Sequence, residues 1–208
     1  MSVREKKRIS VRYLCLLALF IAIEVVMKLC GLGSLRITPF LVMSFLTIPI
    51  AVGAIHLGPV AGAVLGGVFG LLSLWDAMTG QSGMTVWFFN ADPFNTIILC
   101  VCMRALMGWV TGLIFAGLKK IDKTKTISYY VGALSAPLLN TLFFMGYIIL
   151  VFYNTEYVQN LVAEKGVTNP VMFVVALVGV QGLIEAGAGC LIGGTVSKAL
   201  SKIKGARV

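Results

Sequence analysis

Apolar residues along this chain come in long runs with few polar interruptions, and six can be placed, roughly at 12 to 30, 39 to 56, 59 to 76, 94 to 118, 128 to 152 and 171 to 197. Each approaches or exceeds the roughly 20 residues that a helix needs to cross the hydrocarbon core of a bilayer. The second and third runs are separated only by His56, Leu57, Gly58 and Pro59, a helix stop followed by a helix-start proline, which predicts a tight hairpin. The third run carries Gly58, Gly62, Gly66 and Gly70 at four-residue steps, and the sixth carries Gly182, Ala186, Cys190 and Gly194. Such small-residue stripes let helix backbones approach closely. The pattern predicts an all-α integral membrane protein: one domain, residues 1–208, of six transmembrane helices in a compact bundle.

Composition agrees. The chain is 59% hydrophobic and 12% charged, too little polar surface to cover a soluble domain of 208 residues. A net charge of +9 does not imply a nucleic-acid partner, because the basic residues sit between apolar runs rather than on one accessible face. Their distribution reports topology instead. Arg4, Lys6, Lys7, Arg8 and Arg12, then Lys119, Lys120, Lys123 and Lys125, then Lys198, Lys202, Lys204 and Arg207 fall on one side of the predicted membrane. Only Lys28, Arg36 and Lys165 fall on the other, so both termini are expected to be cytoplasmic.

Enzymatic chemistry finds little support. Five cysteines lie within or at the edges of apolar runs, without metal-ligand spacing or an extracellular framework. Neither a metal nor a cofactor is expected. Gly80-Gln81-Ser82-Gly83 resembles an intramembrane serine protease motif, but the single histidine, His56, is expected at the opposite membrane surface and cannot serve as its base. There is no phosphate-binding loop, so the chain cannot hydrolyse ATP alone.

Polar residues within apolar runs are costly and point to function. Arg104, Asn140 and Glu185 lie roughly 15 to 21 Å into the fourth, fifth and sixth runs at about 1.5 Å per residue, which puts all three near mid-membrane. Gln181 is one turn outward of Glu185, and Tyr147 two turns outward of Asn140. Two readings stand: a pocket for a small polar solute, with Arg104 meeting a carboxylate, or an Arg104–Glu185 ion pair that fixes helix register, with Asn140 as an interhelical hydrogen bond. The aromatic run Trp87, Phe88 and Phe89, with Asn90, is either an interfacial belt or a lid over such a pocket. The first run carries Ala18 and Ala22, a pair that alone predicts only packing.

The order of these features resembles the substrate-binding S components of energy-coupling factor (ECF) vitamin transporters. The likeness lies in Leu35 to Thr38 (LRIT), Ile48-Pro49-Ile50, Gly53, and Leu57 to Ala63 (LGPVAGA). It continues through Arg104 with Gly108 and Gly112, Asn140-Thr141, and Glu185 before a small-residue helix. The resemblance implies a membrane-embedded subunit that binds a vitamin from outside and rotates within a bacterial cell membrane to release it. Ala18 and Ala22 would dock on a transmembrane coupling protein driven by two cytoplasmic ATPases. Arg104, Asn140, Glu185, Gln181, Tyr147, Trp87, Asn90 and Arg36 would make the substrate site. The likeness is to the pantothenate and folate branches, with pantothenate the expected vitamin and folate or riboflavin the alternatives. A self-sufficient carrier and a purely structural membrane protein are the competing classes; the absence of a clear inverted repeat counts against the former.

Overall fold

A computed structural model describes residues 10–31, 33, 35–38, 41–122, 124, 126–167 and 169–203, with the backbone alone described at 35–38, 41 and 42. Eight helices account for most of it: α1 (Val11–Leu29), α2 (Thr47–Leu57), α3 (Pro59–Met78), α4 (Gly83–Ala91), α5 (Pro93–Ile121), α6 (Ile127–Phe152), α7 (Glu156–Lys165) and α8 (Pro170–Lys202). Proline at the first helical position starts α3, α5 and α8, where its missing N–H costs no hydrogen bond. Asp92 caps α5 by accepting from the Asn95 N–H at 3.0 Å, and Asn169 caps α8 by accepting from Val171 at 2.9 Å. The predicted hairpin between the second and third runs is present: Gly58, at φ 97°, turns the chain between α2 and α3.

Two features depart from an all-helical expectation of six full spans. Leu35–Thr38 (β1) and Leu41–Met43 (β2) pair antiparallel, with Leu35 opposite Met43 and Arg36 opposite Val42. The physical reason lies in Pro39, which disfavours helical geometry at the preceding Thr38 and cannot continue a helical hydrogen-bond ladder. The second apolar run is therefore part hairpin, and α2 is 11 residues long, about 16 Å against a hydrocarbon core of about 30 Å. α3, α5, α6 and α8 are long and apolar enough to cross a membrane. α1 is long enough but carries Arg12, Glu24 and Lys28. Glu24, which its position groups with the outer-side acids, is wholly buried.

The core is built around α2, in which every residue but Ile48 is buried, as expected of a helix apolar on all sides. Ile50, Leu65, Met107 and Ala133 bring α2, α3, α5 and α6 together there. The glycine stripe of α3 sets the distance to α5. A Cβ at Gly62 would run into the Gly108 carbonyl oxygen, one at Gly66 into that of Arg104, and one at Gly70 into that of Cys100. A second apolar cluster, with Phe88, Phe152 and Phe173 at its centre, packs beneath α4 and α7.

Three of the long helices contain one π-helical turn, at Ile98–Cys102 in α5, Ile148–Phe152 in α6 and Gly189–Gly193 in α8. A π turn inserts one residue and rotates the helix beyond it, a device common near functional sites. The turn in α5 ends two residues before Arg104, and that in α8 begins four residues after Glu185. Around the turn in α8 the close approaches to α6 fall at glycines: a Cβ at Gly189 would lie 2.9 Å from the Pro137 ring, one at Gly193 3.2 Å from the Ala133 side chain, and one at Gly194 2.5 Å from the Tyr130 ring.

Candidate functional site

A cavity of about 410 Å³ lies where α3, α5, α6 and α8 meet the segment after β2 and the start of α4. Arg104, Asn140, Gln181 and Glu185 all line it, so three helices bring four of the sequence-predicted polar residues to one space. The others stand elsewhere. The Tyr147 hydroxyl donates to Asn95 Oδ1 at 2.7 Å, tying α6 to the first turn of α5. Trp87 is exposed, stacked on Tyr157 with ring centroids 5.3 Å apart, and Asn90 is exposed as well. Both face away because the outer segment folds as α4, whose Thr85 and Phe88 take the inner face; residues two apart on a helix do not share a side. Arg36 lies in β1, and its side chain is outside the described residues.

Arg104 is 8% exposed and its guanidinium carbon lies over two aromatic rings, 4.5 Å from the Phe69 centroid and 4.7 Å from that of Phe144. Cation–π contact with two rings compensates part of the desolvation of a buried cation. Its Nη1 donates to the Cys100 carbonyl at 3.2 Å, a carbonyl at the π turn. The ion pair with Glu185 that the sequence allowed does not form. Glu185 Oε1 instead accepts from the Ser44 N–H at 2.8 Å and from Gln181 Nε2 at 3.1 Å. The first bond joins the chain just after β2 to α8, so Glu185 both lines the cavity and fastens its rim.

Sequence reasoning missed a second charged pair. Lys28 of α1 donates to Asp76 of α3 in an ion pair, and both line the cavity. Their positions near the ends of apolar runs made them look like topology markers; the signal was that Asp76 falls within an otherwise apolar helix. The cavity thus collects two cationic and two anionic side chains. Ser44 Oγ, Asp76 Oδ1, Arg104 Nε and Asn140 Oδ1 are buried around it without a hydrogen-bond partner among the described residues. Buried polar groups of that kind carry a desolvation cost until something meets them.

A further wall comes from α4, the segment before it, and α7. Gln81, Ser82 and Thr85 line the cavity, with the Thr85 hydroxyl donating to Ser82 Oγ at 2.6 Å. Tyr157 and Leu161 of α7 line it too. Burial, and then the charge of Glu164, pushes the Tyr157 phenol above its ordinary value, so it remains a neutral hydroxyl at physiological pH. Ser82 has no histidine beside it. His56 is at the far end of α2, where its Nε2 donates to the Ser197 carbonyl at 3.1 Å.

Comparison with known proteins matches the fold and sequence to one class. No curated protein matches the sequence. The structure is similar to that of ThiT from Listeria monocytogenes, with a TM-score of 0.62 and 18% identity over 91% of this chain and 95% of that one. The family model described as "ECF transporter, substrate-specific component" matches residues 12–192. That match spans most of the helical body, including every polar residue of the cavity, and the chain belongs to the S-component family of ECF transporters, substrate-binding subunits rather than enzymes.

Proposed function

We propose that this chain captures a water-soluble vitamin bearing a carboxylate, pantothenate first among them, in the 410 Å³ cavity, for uptake across a bacterial cell membrane. The observation that carries the reading is the convergence of Arg104, Asn140, Gln181 and Glu185 from three helices on one cavity. With Phe69 and Phe144 against its guanidinium and Nη1 on the Cys100 carbonyl, Arg104 keeps its buried Nε without a partner among the described residues, a donor suited to a carboxylate. Asn140 and Gln181 suit an amide and hydroxyls. In this reading all six apolar segments, α1 and the short α2 included, sit in the membrane with both termini cytoplasmic, and the cavity opens to the outside.

S components work with a coupling protein and ATPases, and in this reading Ala18 and Ala22 form the contact with that module. Both are exposed on α1, beside Leu14, Leu19 and Val26, which are each more than half exposed. The test is thermal unfolding of the purified chain with pantothenate, folate and riboflavin added in turn. A ligand at a hundred times its Kd stabilises by about 2.7 kcal/mol. Pantothenate alone should raise Tm. A rise with folate or riboflavin alone transfers the site to that vitamin, and no rise with any vitamin overturns the binding role.

A further inference from the structure

A second cavity, of about 490 Å³, lies at the opposite end of the bundle, lined by the α2–α3 turn and the last turns of α5. Pro59 borders it and Asp76 borders the first cavity, so about 25 Å of α3 separates the two. Its walls are of two kinds. Ile55, Leu57, Phe115 and Ala116 form an apolar face, while Lys119 and Lys120, both exposed, stand at the rim. The Lys119 ammonium reaches back over the Phe115 ring, 5.9 Å from its centroid. No acidic residue is among those lining the cavity. The nearest carboxylate in sequence, Asp122, is engaged in the turn to α6, accepting from the Ser128 and Thr124 N–H groups at 2.8 and 2.9 Å. The rim also includes Pro59 at the start of α3, a 20-residue helix whose first N–H groups have no carbonyl behind them.

An apolar wall with two lysines at its rim and a helix N-terminus beside them, at the end of two membrane-length helices, matches an amphiphile with an anionic head. We propose that this cleft binds an anionic phospholipid, its phosphate between Lys119 and Lys120 and an acyl chain along Ile55 and Phe115. A free phosphate would use the lysines but not the apolar wall.

The test uses the full chain purified in a neutral detergent, with Tm and native mass spectrometry read as phosphatidylglycerol, phosphatidylcholine or inorganic phosphate is titrated. Phosphatidylglycerol should raise Tm and remain bound, and phosphatidylcholine should do neither. Substituting both lysines (Lys119→Gln with Lys120→Gln) should weaken the lipid response about 25-fold, a factor of about five for each charge. Replacing both by Arg should keep the response, which separates a lost site from a misfolded variant. Lys202→Gln, an exposed charge in the last turn of α8 outside the cleft, should leave it unchanged. Equal effects of the two lipids, an undiminished response in the double Gln variant, or a full shift from inorganic phosphate alone would each overturn the proposal.

Discussion

Arg104 and Glu185 do different work, although the sequence presents them as the same kind of object, a charge within an apolar run. Arg104 is held by two aromatic rings and one carbonyl, which leave its Nε without a hydrogen-bond partner among the described residues. Arg104→Ala should therefore weaken vitamin binding by about 1.5–3 kcal/mol, roughly ten- to a hundredfold, as titration calorimetry would record. Arg104→Lys, which keeps the charge but cannot stack between Phe69 and Phe144, should recover only part of it. Glu185 holds the Ser44 amide, so Glu185→Ala should speed hydrogen exchange at Ser44, while Glu185→Gln, which preserves an acceptor oxygen, should not. Unchanged exchange in the Ala variant would remove the fastening role. Both residues were legible because a polar group surrounded by apolar ones stands out. Lys28 was not, because its place at the end of a run reads equally as a charge that ends a span. Asp76, though it falls within an otherwise apolar helix, stands close enough to that helix's end to read the same way. Trp87, Asn90 and Tyr147 show the converse: their residue types suit a ligand, but their direction depends on α4 and on Asn95.

Between elements, the α3–α5 contact fixes where Arg104 stands. Because a Cβ at Gly66 would meet the Arg104 carbonyl while one at Gly67 would meet nothing within 4 Å, the neighbouring glycines make a controlled pair. Gly66→Ala should cost about 1–3 kcal/mol of stability and weaken vitamin binding with it, whereas Gly67→Ala should be neutral or slightly stabilising in thermal unfolding. The turn between α5 and α6 rests on Asp122. Hydrogen bonds from the Ser128 N–H, then from Thr124, hold its carboxyl well below the usual carboxylate range. A folded pKa below the unfolded one contributes stability above the ordinary value of 3.8, and the contribution is lost as pH falls through that value toward the folded one. The Tm difference between the wild type and Asp122→Ala should accordingly be present at neutral pH and shrink on acidification below about 4; a difference independent of pH would contradict it. The long helices were legible from hydropathy, and the glycine stripe from its spacing. The run at 39 to 56 misled because hydropathy counts apolar side chains without regard to backbone state. A short hairpin followed by a buried helix reads the same as one span until Pro39 is given its conformational weight.

For the whole molecule, the proposed link to the coupling protein and ATPases with which S components work can be tested on the face of α1. Ala18 and Ala22 are one turn apart and exposed, so a large side chain there can point away from the described residues. Ala18→Trp and Ala22→Trp should thus leave stability within about 0.5 kcal/mol of the wild type and leave vitamin binding intact in detergent. In cells carrying the coupling protein and ATPases the same variants should lose uptake, because a helix that approaches closely over small residues cannot do so over indole rings. Bulk at any lipid-facing position could be blamed for such a loss. Val180→Trp supplies the comparison: Val180 is 67% exposed on α8, and its replacement should leave uptake near the wild-type rate. Equal loss in all three variants would mean that bulk itself impedes movement in the membrane. Loss confined to α1 would assign the energising contact to that helix, and unaffected uptake in the α1 variants would remove Ala18 and Ala22 from it.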